Sequence, residues 1–147
     1  MWHEIGNSDE LASFMDAMDF FHDSCIKEIK YLSGAYVNED LSMYPVNDSR
    51  VLKLLIQRQM EENSMVEMEF RGLKWLRLLP CDENYTCEIL DATMVLKNGY
   101  IYWCDCGEVS GMDLEEYEGT VICASAFRWR PITGCMGPKE FYRSIDD

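Results

Sequence analysis

The chain reads as an α+β domain, with an N-terminal helix packed on a mostly antiparallel sheet of about six or seven strands. Three observations predict it. Leu11, Phe14, Met15 and Met18 recur at helical spacing, the segments from Val51 onward alternate apolar and polar residues at period two, and Asn98-Gly99 sits between two such segments. Both residues of that pair tolerate the positive φ of a tight type I′ hairpin turn.

Taken in order, Asn7 followed by Glu10 forms a capping box, which starts a helix over residues 8 to 19. The stretch DFFHDSCIKEI then changes the pattern. Here Phe20 and Phe21 are expected to bury, His22 to find a polar partner, and Asp23 and Ser24 to bond exposed backbone groups at a helix-to-sheet hinge. Leu52, Leu54 and Ile56 mark one strand. Val66, Met68 and Phe70 mark the next, with Glu67, Glu69 and Arg71 on a face read as solvated. Leu76 and Leu78 carry the strand signal toward Pro80, the Asn98-Gly99 hairpin follows, and TVICASAFRW supplies a last strand ending at Pro131. YVNEDLSMYPVNDSR and GEVSGMDLEEYEG are read as surface excursions, and the tail over 131–147 as irregular.

A length of 147 residues suits a single domain over 1–147, able to bury about two-thirds of its unfolded surface. Acids outnumber bases by 27 to 13, giving a net charge of -14 on a chain that is 48% hydrophobic and therefore folded. Such a surface repels phosphate backbones and anionic headgroups, so neither nucleic acid nor membrane is expected, and a basic protein partner is favoured. The N-terminal stretch lacks a basic region followed by an apolar run, and the seven cysteines have no scaffold spacing; both point to a cytoplasmic setting with reduced thiols.

Candidate chemistry is sparse. His22 and Asp23 are neighbours, whereas members of a catalytic triad come from separate segments and meet in space, so the pair is read as structural. Cys104 and Cys106 flank Asp105 at a spacing that would put both thiols on one strand face, yet a structural zinc site wants four ligands, and Cys81 and Cys87 are too far apart in sequence to complete one. Cys25, Cys104, Cys106 and Cys123 are read as small buried hydrophobes. No phosphate loop, nucleophile elbow or dinucleotide fingerprint is present, so no catalytic residue, metal or cofactor is expected. The residues that stand out are aromatic and basic: Trp103 on the hairpin, with Arg128, Trp129 and Arg130 on the last strand. Trp and Arg are enriched at interface hot spots, and alternation puts Phe127 and Trp129 on one face and Arg128 and Arg130 on the other.

Phe21-His22-Asp23-Ser24 at the helix exit and Phe70-Arg71-Gly72-Leu73 read as a turn, within this order of elements, resemble small bacterial proteins of the "FHDS/FHDA" type, some of which are similar to immunity proteins of toxin systems. The resemblance implies a compact protein-binding α+β domain and no catalytic residue. The expected function is therefore protein interaction, with an acidic face of Glu67, Glu69, Asp113, Glu115, Glu116 and Glu118 opposing a basic toxin. His22, Asp23, Trp103, Asp105, Arg128, Trp129 and Arg130 are the candidate binding residues. The alternative is a small ligand-binding or hydrolytic domain with a pocket at the helix-to-sheet junction.

Overall fold

The computed structural model describes residues 1–46, 49–109 and 113–143. They form one α-helix and a large antiparallel sheet, with a separate two-stranded hairpin. The helix, α1 (Ser8–Ala17), starts at the expected cap: Asn7 Oδ1 accepts the Glu10 N–H at 2.9 Å, and the Glu10 carboxylate accepts the Gly6 N–H at 2.7 Å. It ends before Asp19 because Asp19, Phe20 and Phe21 stand at φ 50°, 53° and 58°, a left-handed run that cannot continue a right-handed helix. Each such non-glycine residue costs about 1–2 kcal/mol, so other contacts must hold the run in place.

The strands are β1 (His3–Ile5), β2 (Ser24–Leu32), β3 (Tyr36–Val37), β4 (Met43–Tyr44), β5 (Val51–Arg58), β6 (Met65–Arg77), β7 (Glu88–Ile89), β8 (Thr93–Lys97), β9 (Tyr100–Cys104) and β10 (Val121–Pro131). The main sheet runs in the order β7-β2-β5-β6-β10-β9-β8. β6 pairs along the whole of β10, so β9 and β1 divide β10's other side, opposite Val121–Ala124 and Phe127–Trp129. Only Leu90, Asp91 and Ala92 separate β7 from β8, the two ends of that order, so the sheet curls until its ends approach each other.

The hairpin turn is where the sequence puts it, with Asn98 at φ 53°, Gly99 at φ 79° and Lys97 opposite Tyr100. The Phe70-Arg71-Gly72-Leu73 stretch, in contrast, does not turn. β6 continues through it, Gly72 takes φ +60° beside Ser125, and just beyond it, in the step from Leu73 to Trp75, the register with β10 slips between Cys123 and Ala124 in a β-bulge. A Cβ on Gly72 would lie 2.9 Å from Ser125 Oγ.

The main core lies on one face of the sheet. Leu52, Leu54 and Ile56 of β5 and Val66, Met68 and Phe70 of β6 join Leu11, Phe14 and Met15 of α1 there. The Phe14 ring meets Phe127 edge-on at 5.2 Å. Among the described residues no helix is long and apolar enough to cross a membrane.

Candidate functional site

The DFFHDS motif sits at the seam where the ends of the sheet approach. Its backbone and ring tie the left-handed run to the β7–β8 link: the Ala92 N–H donates to the Phe20 carbonyl at 2.7 Å, and His22 Nδ1 lies 2.6 Å from the Leu90 carbonyl. His22 Nε2 is 3.4 Å from Asp23 Oδ2, and Asp91 lies 3.9 Å from Nδ1. The Leu90 hydrogen bond, then the Asp23 and Asp91 charges, push the imidazole above its ordinary value and favour the doubly protonated ring that can donate from both nitrogens. Ser24 Oγ donates to the His22 carbonyl at 3.3 Å rather than to the ring, so the stretch acts as a clasp. Phe21 is fully buried as expected; Phe20 is not, being 47% exposed, although both share the left-handed backbone.

Arg58 completes this end of the core and was not legible as a special residue within VLKLLIQR. Buried at the close of β5, it donates from Nη2 to the Met18 carbonyl at 2.9 Å and from Nη1 to the Glu62 and Asn63 carbonyls. It thereby ties the helix exit, where the Met18 carbonyl also accepts the Phe21 N–H, to the carbonyls of the β5–β6 turn.

Glu67 and Glu69 overturn the expectation of a solvated face: both are buried, at 1% and 4% exposed. Glu67 Oε1 accepts from Arg130 Nε at 2.8 Å, Glu69 pairs closely with Arg128 Nε, and Arg71 Nε lies 3.3 Å from Glu69. The cover comes from both chain ends. Trp2 lies over the guanidinium groups of Arg128 and Arg130, at 4.2 and 4.7 Å from ring to cation. From the tail, Tyr142 donates its hydroxyl to Glu67, while the Phe141 and Tyr142 N–H groups donate to the Glu28 carboxylate at 2.8 and 2.9 Å. Burial and the Glu67 hydrogen bond push the Tyr142 hydroxyl well above its usual range. The tail after Pro131 has no strand or helix among its described residues, as expected, and residues 133–140 are exposed, yet Phe141 and Tyr142 pack back as a cover. Neither Trp2 nor Tyr142 carries a local signal for this role.

The other candidates separate in the same way. Trp103 is fully buried in the core, packed edge-on to Phe21 at 6.2 Å, and cannot present itself to a partner. Trp129 stacks between His3 and Phe14, half-buried. Asp105 lies just past β9 and accepts from the Tyr117 hydroxyl at 2.9 Å; burial raises its carboxyl and that hydrogen bond opposes the rise. Cys104 is buried, while Cys106 falls beyond the strand, so the two thiols do not share a strand face. Cys123 is buried and Cys25 half-buried. Among the described residues no group of three or more His, Cys, Asp or Glu is placed to hold a metal. In the acidic excursion Asp113, Glu115, Glu116 and Glu118 are exposed, but Leu114 between them is fully buried and anchors the segment.

Besides a cavity of about 520 Å³ at the helix-to-sheet junction, lined by Asp23, Ser24, Cys25, Gln57 and Arg58 among others, two surfaces remain open. The first is an arm from Tyr31 to Val46 that includes β3 and β4. It carries eight of the fifteen exposed large hydrophobic side chains among the described residues, including Leu41 at 82%, Val46 at 75% and Met43 at 68% exposed. The arm is ordered: Tyr36 and Tyr44 stack at 5.1 Å, the Asn38 N–H donates to Ser42 O at 2.8 Å, and Asp40 Oδ1 accepts from both Ser42 N and Oγ. Those Ser42 bonds hold the Asp40 carboxyl below its usual range. Leu41 sits at φ 72°, a strained position for a side chain left in water.

The second is a cavity of about 680 Å³ between α1 and β8, lined by Leu11, Ala12 and Met15 on the helix and by Thr93–Leu96 on the strand. Phe20, Asp91 and Glu108 close one end. A smaller cavity of about 420 Å³ shares Leu11 and Leu96 with it and continues to Gly6 and Glu4. No family model, no curated protein and no solved structure matches the chain.

Proposed function

We propose that the chain is a protein-binding domain that docks on a basic partner through its Tyr31–Val46 arm, in the manner of a bacterial immunity protein neutralising a toxin. The observation that carries this reading is the arm: an ordered hairpin that leaves Leu41, Met43 and Val46 in water. A soluble chain keeps such a patch when a partner covers it. The partner's charge follows from the net charge of -14, to which the exposed Glu115, Glu116 and Glu118 contribute. Opposite fields raise the encounter rate, whereas the desolvated aromatic and aliphatic groups hold the complex together.

The alternative of a hydrolytic pocket at the helix exit loses weight. His22 Nδ1 is engaged by the Leu90 carbonyl, and the Ser24 hydroxyl turns away from the ring. The cavity beside it suits binding better than proton transfer.

Photo-crosslinking in the native host tests the arm. A benzophenone side chain at position 36 or 41 should capture one and the same protein, which the same group at the exposed Glu61 does not. With that protein purified, Leu41→Ser and Tyr44→Ser should speed dissociation about ten-fold, while Lys at 115, 116 and 118 should slow association several-fold and make it less salt-dependent. Crosslinks that spread evenly over all three positions would end the proposal.

A further inference from the structure

We propose that the groove between α1 and β8 is a second binding site, which takes an extended segment of a partner protein, apolar in the middle and basic at its ends, as an added strand on β8. In a two-residue hairpin the flanking residues form a hydrogen-bonded pair, so Lys97–Tyr100 bond each other, as do Val95–Tyr102 and Thr93–Cys104 two and four residues on. The backbone N–H and C=O groups of Met94 and Leu96 therefore point the other way, to the free edge of β8, the last strand in the sheet order. The residue before them in the same phase, Ala92, already makes the bond such an edge invites, donating its N–H to Phe20 O at 2.7 Å. One rung is thus taken by the clasp, and among the described residues nothing takes the next two.

What lies beside those rungs is the cavity. Its helix wall is the Leu11, Ala12 and Met15 face of α1, its floor includes Met94, and its rim carries Phe20 and Leu96, which are 47% and 37% exposed. A volume of about 680 Å³, extended by the adjoining 420 Å³ through the shared Leu11 and Leu96, lies in the range of built binding sites. An unpaired edge flanked by an apolar helix is the arrangement in which peptides bind by strand addition, with main-chain bonds supplying affinity and side-chain pockets supplying selectivity. The charge at its ends indicates the occupant. Asp91 and Glu108 stand at one end and Glu4 at the other, and no Lys or Arg lines either cavity. The arm lies past the C-terminal end of β2, whereas the groove lies at the seam by its N-terminal end, so this inference does not depend on the arm.

The probe is a capped synthetic peptide with Lys at both ends and alternating Val and Ser between. Backbone amide exchange is followed by NMR on the full chain. Bound peptide should slow exchange at the Met94 and Leu96 amides about ten-fold and leave Val95, already paired, unchanged. Methylating the peptide's backbone nitrogens on alternate residues should weaken binding about ten-fold in the phase that faces β8 and little in the other phase. Glu in place of the terminal Lys should weaken it as well. Leu96→Pro removes one outward N–H at a position where an edge strand tolerates proline, and should weaken binding while the fold persists. Ala12→Trp, which fills the groove from the helix side, serves if the proline variant does not fold. Peptide binding that ignores methylation and Ala12→Trp would reduce the effect to attraction by an acidic surface and overturn the proposal, as would no binding at all. Self-association of the chain that Ala12→Trp abolishes would give the edge to a second copy and overturn it too.

Discussion

The two faces of the β6–β10 pair are built from the same alternation and end in opposite chemistry. On one face Val66, Met68, Phe70 and Phe127 meet the helix and exclude water by apolar contact. On the other Glu67 and Glu69 are nearly as well excluded from water, beneath Trp2 and Tyr142, while Arg128 and Arg130 that pair with them stay partly exposed. The difference lies in what covers each face. Apolar cover asks only for shape, whereas a buried carboxylate needs a matched donor for each of its oxygens, and Glu67 has two: Arg130 on Oε1 and Tyr142 on Oε2. The polar face is therefore the one that depends on both chain ends being in place.

The largest effect is expected on the apolar side. Phe70→Ala or Phe127→Ala should cost about 3–5 kcal/mol in chemical denaturation, since both rings are fully buried and meet each other at 5.0 Å. Glu67→Ala should cost about 3 kcal/mol, because it leaves Tyr142 and Arg130 without their acceptor, although Arg130 retains some access to water. The same change at the exposed Glu61 should stay within about 0.5 kcal/mol. Equal costs at the two glutamates would mean that the tail does not cover the face in solution.

Glu67→Met combined with Arg130→Met and Tyr142→Phe should be near neutral or stabilising, as buried ion pairs exchanged for packed apolar groups often are. Tyr142→Phe alone should cost about 1 kcal/mol and raise the tail's susceptibility to protease.

At the seam the expected effect is smaller and depends on pH. The folded state holds His22 above the ordinary value of about 6.5, so the stabilisation it provides is fully present below that pH and is lost as pH rises through the folded value. The melting-temperature advantage of the native chain over His22→Gln should therefore shrink on going from mildly acidic to mildly basic buffer, and an NMR titration of the ring should place its midpoint above that of a model peptide. An advantage that grows with pH would contradict the clasp. Smallest of all is the arm: Tyr36→Ser with Leu41→Ser should move stability by about 0.5 kcal/mol or less, since these side chains are already in water, and any loss should show in binding instead.

Local rules carried the elements whose cause is local. The Asn7 cap, the helical spacing of Leu11, Phe14 and Met15, the alternation through Val66, Met68 and Phe70, and the Asn98-Gly99 turn each follow from a few neighbouring residues, and each is found in the structure. The division of β10 into a Phe127–Trp129 face and an Arg128–Arg130 face is of the same kind. Alternation distinguishes two faces but does not state which of them meets water. That depends on residues far along the chain: Tyr142 reaches Glu67 from 75 positions away and Arg130 from 63. The burial of Trp103, the β-bulge just after Leu73 and the meeting of the DFFHDS motif with the β7–β8 link are likewise products of how the sheet curls. Composition makes the surface acidic; that Glu67 and Glu69 do not belong to it follows from the fold, which brings an arginine donor to each and a tyrosine hydroxyl to Glu67.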